Sequence, residues 1–275
     1  MSQVVVITGL AQGMGRETAL LCADRGMSIA GFDMDKEGLK SLGMELESRG
    51  CEHLLEELNI TDRTGIKAFS RRVLDKFGRV DTVLSNVGVG FFGPFEEVDL
   101  EKAVTCFEIN YFGTAAIFQA FIPAMREQGQ GKLLAVASMV GRIPFPFESI
   151  YSSSKFAVEG LVRSIKYEVE PFGIRVALIE PSQVSTAFAA KSHIRPPEGS
   201  PYYERVLRFS SKNSEILKSS LTPEQAAKKI VHIIENSNPS LHNQLSFGDK
   251  LNLTAMSILP AGITDSLLLK HMDIK

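Results

Sequence analysis

Short apolar runs alternate along this chain with segments whose apolar positions recur at helical spacing. Residues 4–7 form a β-branched run, followed by a glycine turn and a helical stretch at 14–25. Residues 28–33 read as a second strand, 36–49 as a second helix and 54–60 as a third strand. A helix over 62–77 is capped by Thr61 or Asp62. The pattern then predicts a strand at 81–87, a long helix or pair of helices at 100–128 and a strand at 132–137. It ends in a helix at 152–171 and a sixth strand at 174–180. Strands that are apolar on both faces are expected in a parallel sheet covered on both sides by helices. The repeated βα order implies right-handed crossovers. The expected fold is α/β, a doubly wound parallel sheet in a three-layer α/β/α single domain over 1–275.

Beyond Pro181 the pattern weakens. Residues 182–220 are rich in Ser and Pro, with Arg195-Pro196-Pro197 and Gly199-Ser200-Pro201 as breakers. So long a segment reads as a substrate-binding loop or lid. Thr222-Pro223-Glu224 opens a helix to about Asn236, and 244–247 is the last expected strand. The C-terminal extension, 249–275, mixes Leu, Met and Ile and is broken by Pro260 and Gly262. It fits packing on its own domain, a lid, a subunit contact or a membrane-surface anchor.

Composition narrows the function classes. A formal net charge of −2 over 275 residues gives no basic field for nucleic acid. Cys22, Cys51 and Cys106 match neither a disulfide framework nor zinc-ligand spacing, and point to a reducing compartment. The five histidines form no metal-type pair, so no metal is expected. No apolar stretch approaches a bilayer span, and the N-terminus reads as a strand rather than a signal peptide. A cytoplasmic location is expected.

Thr8-Gly9-Leu10-Ala11-Gln12-Gly13-Met14-Gly15 joins the first strand to the first helix. Glycines there let the backbone approach a pyrophosphate, whose charge a helix N-terminus favours. Asp33, at the end of the second strand, is placed to accept hydrogen bonds from the adenosine ribose hydroxyls. A carboxylate there repels the 2′-phosphate of NADP, and neither Gln12 nor Met34 supplies a cation. NAD is the expected cofactor, NADP the lesser alternative.

Tyr151 and Lys155 stand at i, i+4 and so share one helix face. A free phenol titrates near 10, too high for a base at neutral pH; a neighbouring ammonium is expected to lower it. Ser138 ends the fifth strand, where its hydroxyl is placed to hold a substrate oxygen.

Together these residues resemble the short-chain dehydrogenase/reductase family, over roughly residues 3–190. The resemblance implies a Rossmann-type fold, an NAD(P)-dependent enzyme acting on CH–OH groups, and a homodimer or homotetramer. It implies that Thr8 through Gly15 bind the cofactor, that Ser138, Tyr151 and Lys155 are catalytic, and that Lys155 also bonds the nicotinamide ribose. It makes Asn110 the fourth catalytic residue, helping to hold a water that connects Lys155 to solvent. Three segments depart from the family pattern. Ser85-Asn86-Val87-Gly88 keeps the second Asn and the Gly, Asn59 followed by Ile60 replaces an acidic residue, and Pro181-Ser182 stands for Pro-Gly, with Val184 and Thr186 at the usual offsets. These positions are expected to touch the cofactor.

Aromatic and apolar residues cluster in the loops of the expected site. Val89, Phe91, Phe92 and Phe95 follow the fourth strand, Phe145 and Phe147 precede Tyr151, and Tyr202 and Tyr203 lie in the long loop. They are expected to line a pocket for a bulky apolar alcohol or ketone, steroid-, retinoid- or lipid-like. Tyr151-Ser152-Ser153-Ser154-Lys155 and the long C-terminal extension look most like the hydroxysteroid and retinol dehydrogenase branch. Two rival readings are a non-catalytic NAD-binding regulator on the same fold and a related epimerase or dehydratase. The joint presence of Ser138, Tyr151 and Lys155 favours an enzyme.

Overall fold

The computed structural model describes residues 2–185 and 198–274. Seven strands form one sheet: β1 Val4–Thr8, β2 Ser28–Asp33, β3 His53–Glu57, β4 Thr82–Ser85, β5 Gly131–Val136, β6 Ile174–Glu180 and β7 His242–Gln244. Their spatial order is β3-β2-β1-β4-β5-β6-β7 and every pairing is parallel. Order therefore reverses between β1 and β4, which opens a crevice at their C-terminal ends.

Period-two geometry explains the unbroken apolar strands. In β1, Val5 and Ile7 face one layer while Val4 and Val6 face the other. The first layer contains α1 Gly13–Ala23, α2 Lys36–Ser48 and α8 Pro223–Glu235. The second contains α3 Arg63–Phe77, α5 Gly113–Gln128 and α6 Ser149–Val169. Phe32, Phe69 and Phe121 meet edge-on in that second layer, with ring centres 5.2 and 6.4 Å apart.

Several ends follow from local chemistry. Asp62 caps α3, its Oδ1 accepting from Gly65 N at 2.9 Å. Thr222 and Gln225 form a reciprocal capping box at α8. The expected helix at 100–128 is two helices, α4 Leu100–Phe107 and α5, joined by a π-type turn at Glu108–Phe112.

Three expectations are corrected. Residues 182–220 are not one loop, because Tyr203–Lys218 is a 16-residue helix, α7, that buries Val206 and Phe209. The last strand is β7, which starts two residues earlier and is entirely polar, not 244–247. Ser246 instead caps α9 Phe247–Ile258, accepting from Asp249 N at 3.0 Å. The third strand ends at Glu57, before Asn59 and Ile60. In the extension, α9 is followed by α10 Ala261–His271. Leu268, Met272 and Ile274 pack with Phe209 of α7, so this end docks on the protein itself. No described helix is long and apolar enough to cross a membrane.

Candidate active site

Gly9 and Gly13 hold φ of +71° and +60°, which turns the chain sharply from β1 into α1. Thr8 Oγ1 accepts from Asn86 N and Val87 N at 3.0 and 3.2 Å. Asn86 Nδ2 returns bonds to the carbonyls of Thr8 and Gly9 at 3.1 and 3.0 Å. These four bonds tie the ends of β1 and β4 across the switch point and leave the turn open above it. Asp33 Oδ2 accepts from Ala11 N in the same turn and Oδ1 from Asp35 N, both at 3.0 Å. An ionised carboxylate has about four acceptor sites, so two bonds leave capacity for a ligand's hydroxyls. Asp35, not Asp33, caps α2.

A cavity of about 910 Å³ lies over the C-terminal edge of the sheet. Its walls include Gly9, Gln12, Gly13, Met14, Asp33, Ile60, Asn86, Val87 and Gly88 from the expected cofactor set. Ser138, Tyr151, Lys155, Pro181, Ser182 and Val184 stand further along. Thr8 and Gly15 do not line it; they shape the turn from beneath. Asn59 is exposed and its Oδ1 accepts from Thr61 N at 3.0 Å, so Leu58 and Ile60 form that wall instead. Thr186, and with it 186–197 of the expected lid, lies outside the described residues.

At the far end Ser138, Tyr151 and Lys155 converge. The Tyr151 phenol and the Ser138 hydroxyl are hydrogen-bonded, and Ser138 Oγ also accepts from Val140 N at 3.3 Å. Lys155 Nζ donates to Val136 O at 2.9 Å and lies 5.8 Å from the centre of the Tyr151 ring. Burial pushes the Tyr151 phenol upward and the nearby Glu148 carboxyl adds to this, while the bond from Ser138 works against both. The phenol is thus raised rather than lowered, because burial outweighs the bond from Ser138. Burial also pushes the Lys155 ammonium down to about 8.

Asn110 sits in the π-type turn, buried. Its Oδ1 accepts from Val89 N at 2.8 Å, and its Nδ2 donates to Val89 O at 3.0 Å and to Ser154 Oγ at 2.9 Å. The side chain thereby clamps the loop after β4 onto α6. A Cβ built on Gly88 would stand 3.3 Å from Lys155 Nζ and 3.4 Å from Asn110 Oδ1, so a side chain there would crowd both.

Of the expected substrate aromatics, Phe92 and Phe145 line the cleft with Val89, and the Phe92 ring centre is 5.7 Å from that of Tyr151. Phe91, Phe95, Phe147, Tyr202 and Tyr203 are not among its lining. Phe95 is 66% exposed, Phe147 packs against Phe209 at 5.6 Å, and Tyr202 bonds to Glu96. Sequence reasoning missed Glu148 and the α7 wall of Asn213, Ile216 and Leu217. Helical spacing in α7 was the available signal for the latter.

Beneath the loops, Arg142 and His242 surround Glu180 next to Glu159. Burial and the neighbouring Glu180 push the Glu159 carboxyl upward. The guanidinium already supplies the cation in this group.

A cradle too tight for side chains at Gly9 and Gly15, an acceptor at Asp33 and a cavity continuing to Tyr151 fit a dinucleotide. Fold and site define a doubly wound α/β protein with a serine–tyrosine–lysine group beside its switch point. The short chain dehydrogenase family model matches residues 3–196, and the chain belongs to this family.

Estradiol 17-beta-dehydrogenase 1 of Rattus norvegicus is 37% identical over 195 residues, which cover 69% of this chain and 56% of that protein. The match thus spans little more than half the length of this relative. A short-chain dehydrogenase from Streptomyces avermitilis shares the fold with a TM-score of 0.80 at 27% identity, covering 99% of this chain and 95% of that one. An alcohol dehydrogenase from Thermococcus sibiricus, solved with 5-hydroxy-NADP, gives 0.74 at 26% identity, covering 89% and 95%.

Proposed function

We propose that this protein interconverts a bulky apolar alcohol, secondary or primary, with its ketone or aldehyde, using NAD(H). The observation that carries this is the convergence of Ser138, Tyr151 and Lys155 at the end of the glycine-walled cleft. A bound nicotinamide supplies the hydride acceptor or donor and, when oxidised, a positive charge that favours the phenolate. Ser138 holds the substrate oxygen through its hydroxyl. Tyr151, kept protonated by burial, gives its proton to that oxygen as charge develops on it, and takes one back in the oxidative direction. Lys155 holds the ribose and returns charge toward the phenol once a ligand draws it off Val136 O. Asn110 fixes the loop that carries Gly88 and Val89, and supports a relay water toward Lys155.

Val89, Phe92, Phe145, Ile216 and Leu217 around Tyr151 support an apolar substrate. The rat relative's name, an estradiol 17-beta-dehydrogenase, agrees with a steroid-like one. A screen of NAD reduction over steroids, retinoids, aliphatic alcohols and sugars tests this. Turnover of the first three groups is expected, and turnover confined to polar sugars contradicts it. Equilibrium sedimentation is expected to give a homodimer or homotetramer.

Asp33 supports NAD over NADP, because its carboxylate meets the position of a 2′-phosphate with like charge. Arg16, just after the turn, is already held by Glu45 at 2.5 Å and by Ser41 at 2.9 Å. Replacing Asp33 with Ala is expected to raise the NADPH-to-NADH ratio of kcat/KM at least about tenfold. An unchanged ratio removes Asp33 from cofactor choice.

A further inference from the structure

Glu148 stands one helical turn before Tyr151, as Lys155 stands one turn after it. All three line the cleft. Lys155 lies beside Gly88, and Glu148 lies beside Phe145. Its backbone is fixed, the carbonyl accepting from Ser152 N at 2.7 Å and the amide donating to Phe145 O at 3.3 Å. The side chain is different. Glu148 is 6% exposed, and its carboxyl makes no hydrogen bond and no ion pair to any described residue. A buried polar group without a partner is destabilising, and Leu in its place would avoid that cost. The residue lines the cleft, where a ligand is placed to supply the matching group.

We propose that Glu148 is a specificity-determining residue that hydrogen-bonds a second hydroxyl of the substrate. The preferred substrate is then an apolar hydroxyketone or diol rather than a simple ketone or alcohol, with its second oxygen on the Glu148 side of the carbonyl. This rests on the oxidoreductase reading above. A hydroxyl suits the site better than an ammonium. Burial pushes the carboxyl up to about 8, so at neutral pH it is mostly uncharged and both donates and accepts. A hydroxyl matches both roles without placing two charges among apolar side chains, where desolvation opposes them.

The test uses pairs of apolar ketones that differ only by one hydroxyl, whose distance from the carbonyl is varied across the set. Each is assayed for NADH-dependent reduction and, separately, for calorimetric binding to NADH-saturated protein. The native protein is expected to prefer the hydroxylated member by about 10- to 100-fold in kcat/KM, as sites built around a substrate hydroxyl do. Glu148→Leu brings that ratio near one, and Glu148→Gln, which still donates and accepts, keeps most of it. An equal ratio in the native and Leu proteins overturns the proposal, and so does a stronger preference for an amine in place of the hydroxyl. If no ketone is reduced, the oxidoreductase reading fails, and the binding data still decide on Glu148. Hydroxyl-dependent binding lost in Glu148→Leu upholds its role, and hydroxyl-independent binding rejects it.

Discussion

Replacing Tyr151 with Phe is expected to lower kcat about 10²- to 10⁴-fold, the range that a positioned proton-transfer group contributes. The substitution removes one oxygen and keeps the ring, so the packing against Phe92 persists. Ser138 loses its bond to the phenol but keeps Val140 N and the Pro181 carbonyl, at 3.3 and 3.4 Å. Dinucleotide affinity, read by quenching or calorimetry, is expected to stay within a few-fold of native. The glycine turn and Asp33 lie at the other end of the cleft and do not depend on the hydroxyl. A variant that keeps near-native turnover would show that the proton is moved by another group.

Gly15→Ala is expected to damage folding and cofactor binding together. A Cβ there would lie 2.2 Å from the Gly9 carbonyl oxygen and 2.7 Å from Asn86 Nδ2. The first neighbour is backbone and cannot rotate away. The second is the amide that ties β1 to β4. Relief therefore requires α1 to move off the sheet or the turn to deform. Forced overpacking of this kind costs about 1–3 kcal/mol. Denaturant unfolding is expected to show that loss, and dinucleotide affinity is expected to fall at least about tenfold. Native stability and affinity in this variant would mean that the close approach of helix and turn is not needed.

Strands buried on both faces leave an unambiguous trace, which is why residues 174–180 coincide with β6 from end to end. The glycine turn and the Tyr151–Lys155 pair were equally legible, because their spacing in sequence is their spacing in space. Other features depend on tertiary surroundings. β7 is an edge strand of His, Asn and Gln with no apolar alternation, so the pattern pointed past it to Leu245 and Phe247. α7 was hidden by the Pro and Gly residues just before it, although its own sequence is amphipathic. Aromatic clustering near Tyr151 gave no direction: Phe147 turns to Phe209 while Phe145 faces the cleft. Glu148 was invisible for a similar reason. An acid at a helix start is ordinary in sequence, and only the fold shows that this one is enclosed.

Transfer of label tests the central claim most directly. A secondary alcohol carrying deuterium on its carbinol carbon, chosen from the substrate screen, is incubated with the protein and NAD. The reduced cofactor is then analysed by mass spectrometry. The account predicts reduced nicotinamide carrying one deuterium from the native protein, and almost none from Tyr151→Phe over the same interval. Alcohol consumed with the deuterium lost to water, or label transferred equally well without the phenol, would contradict it.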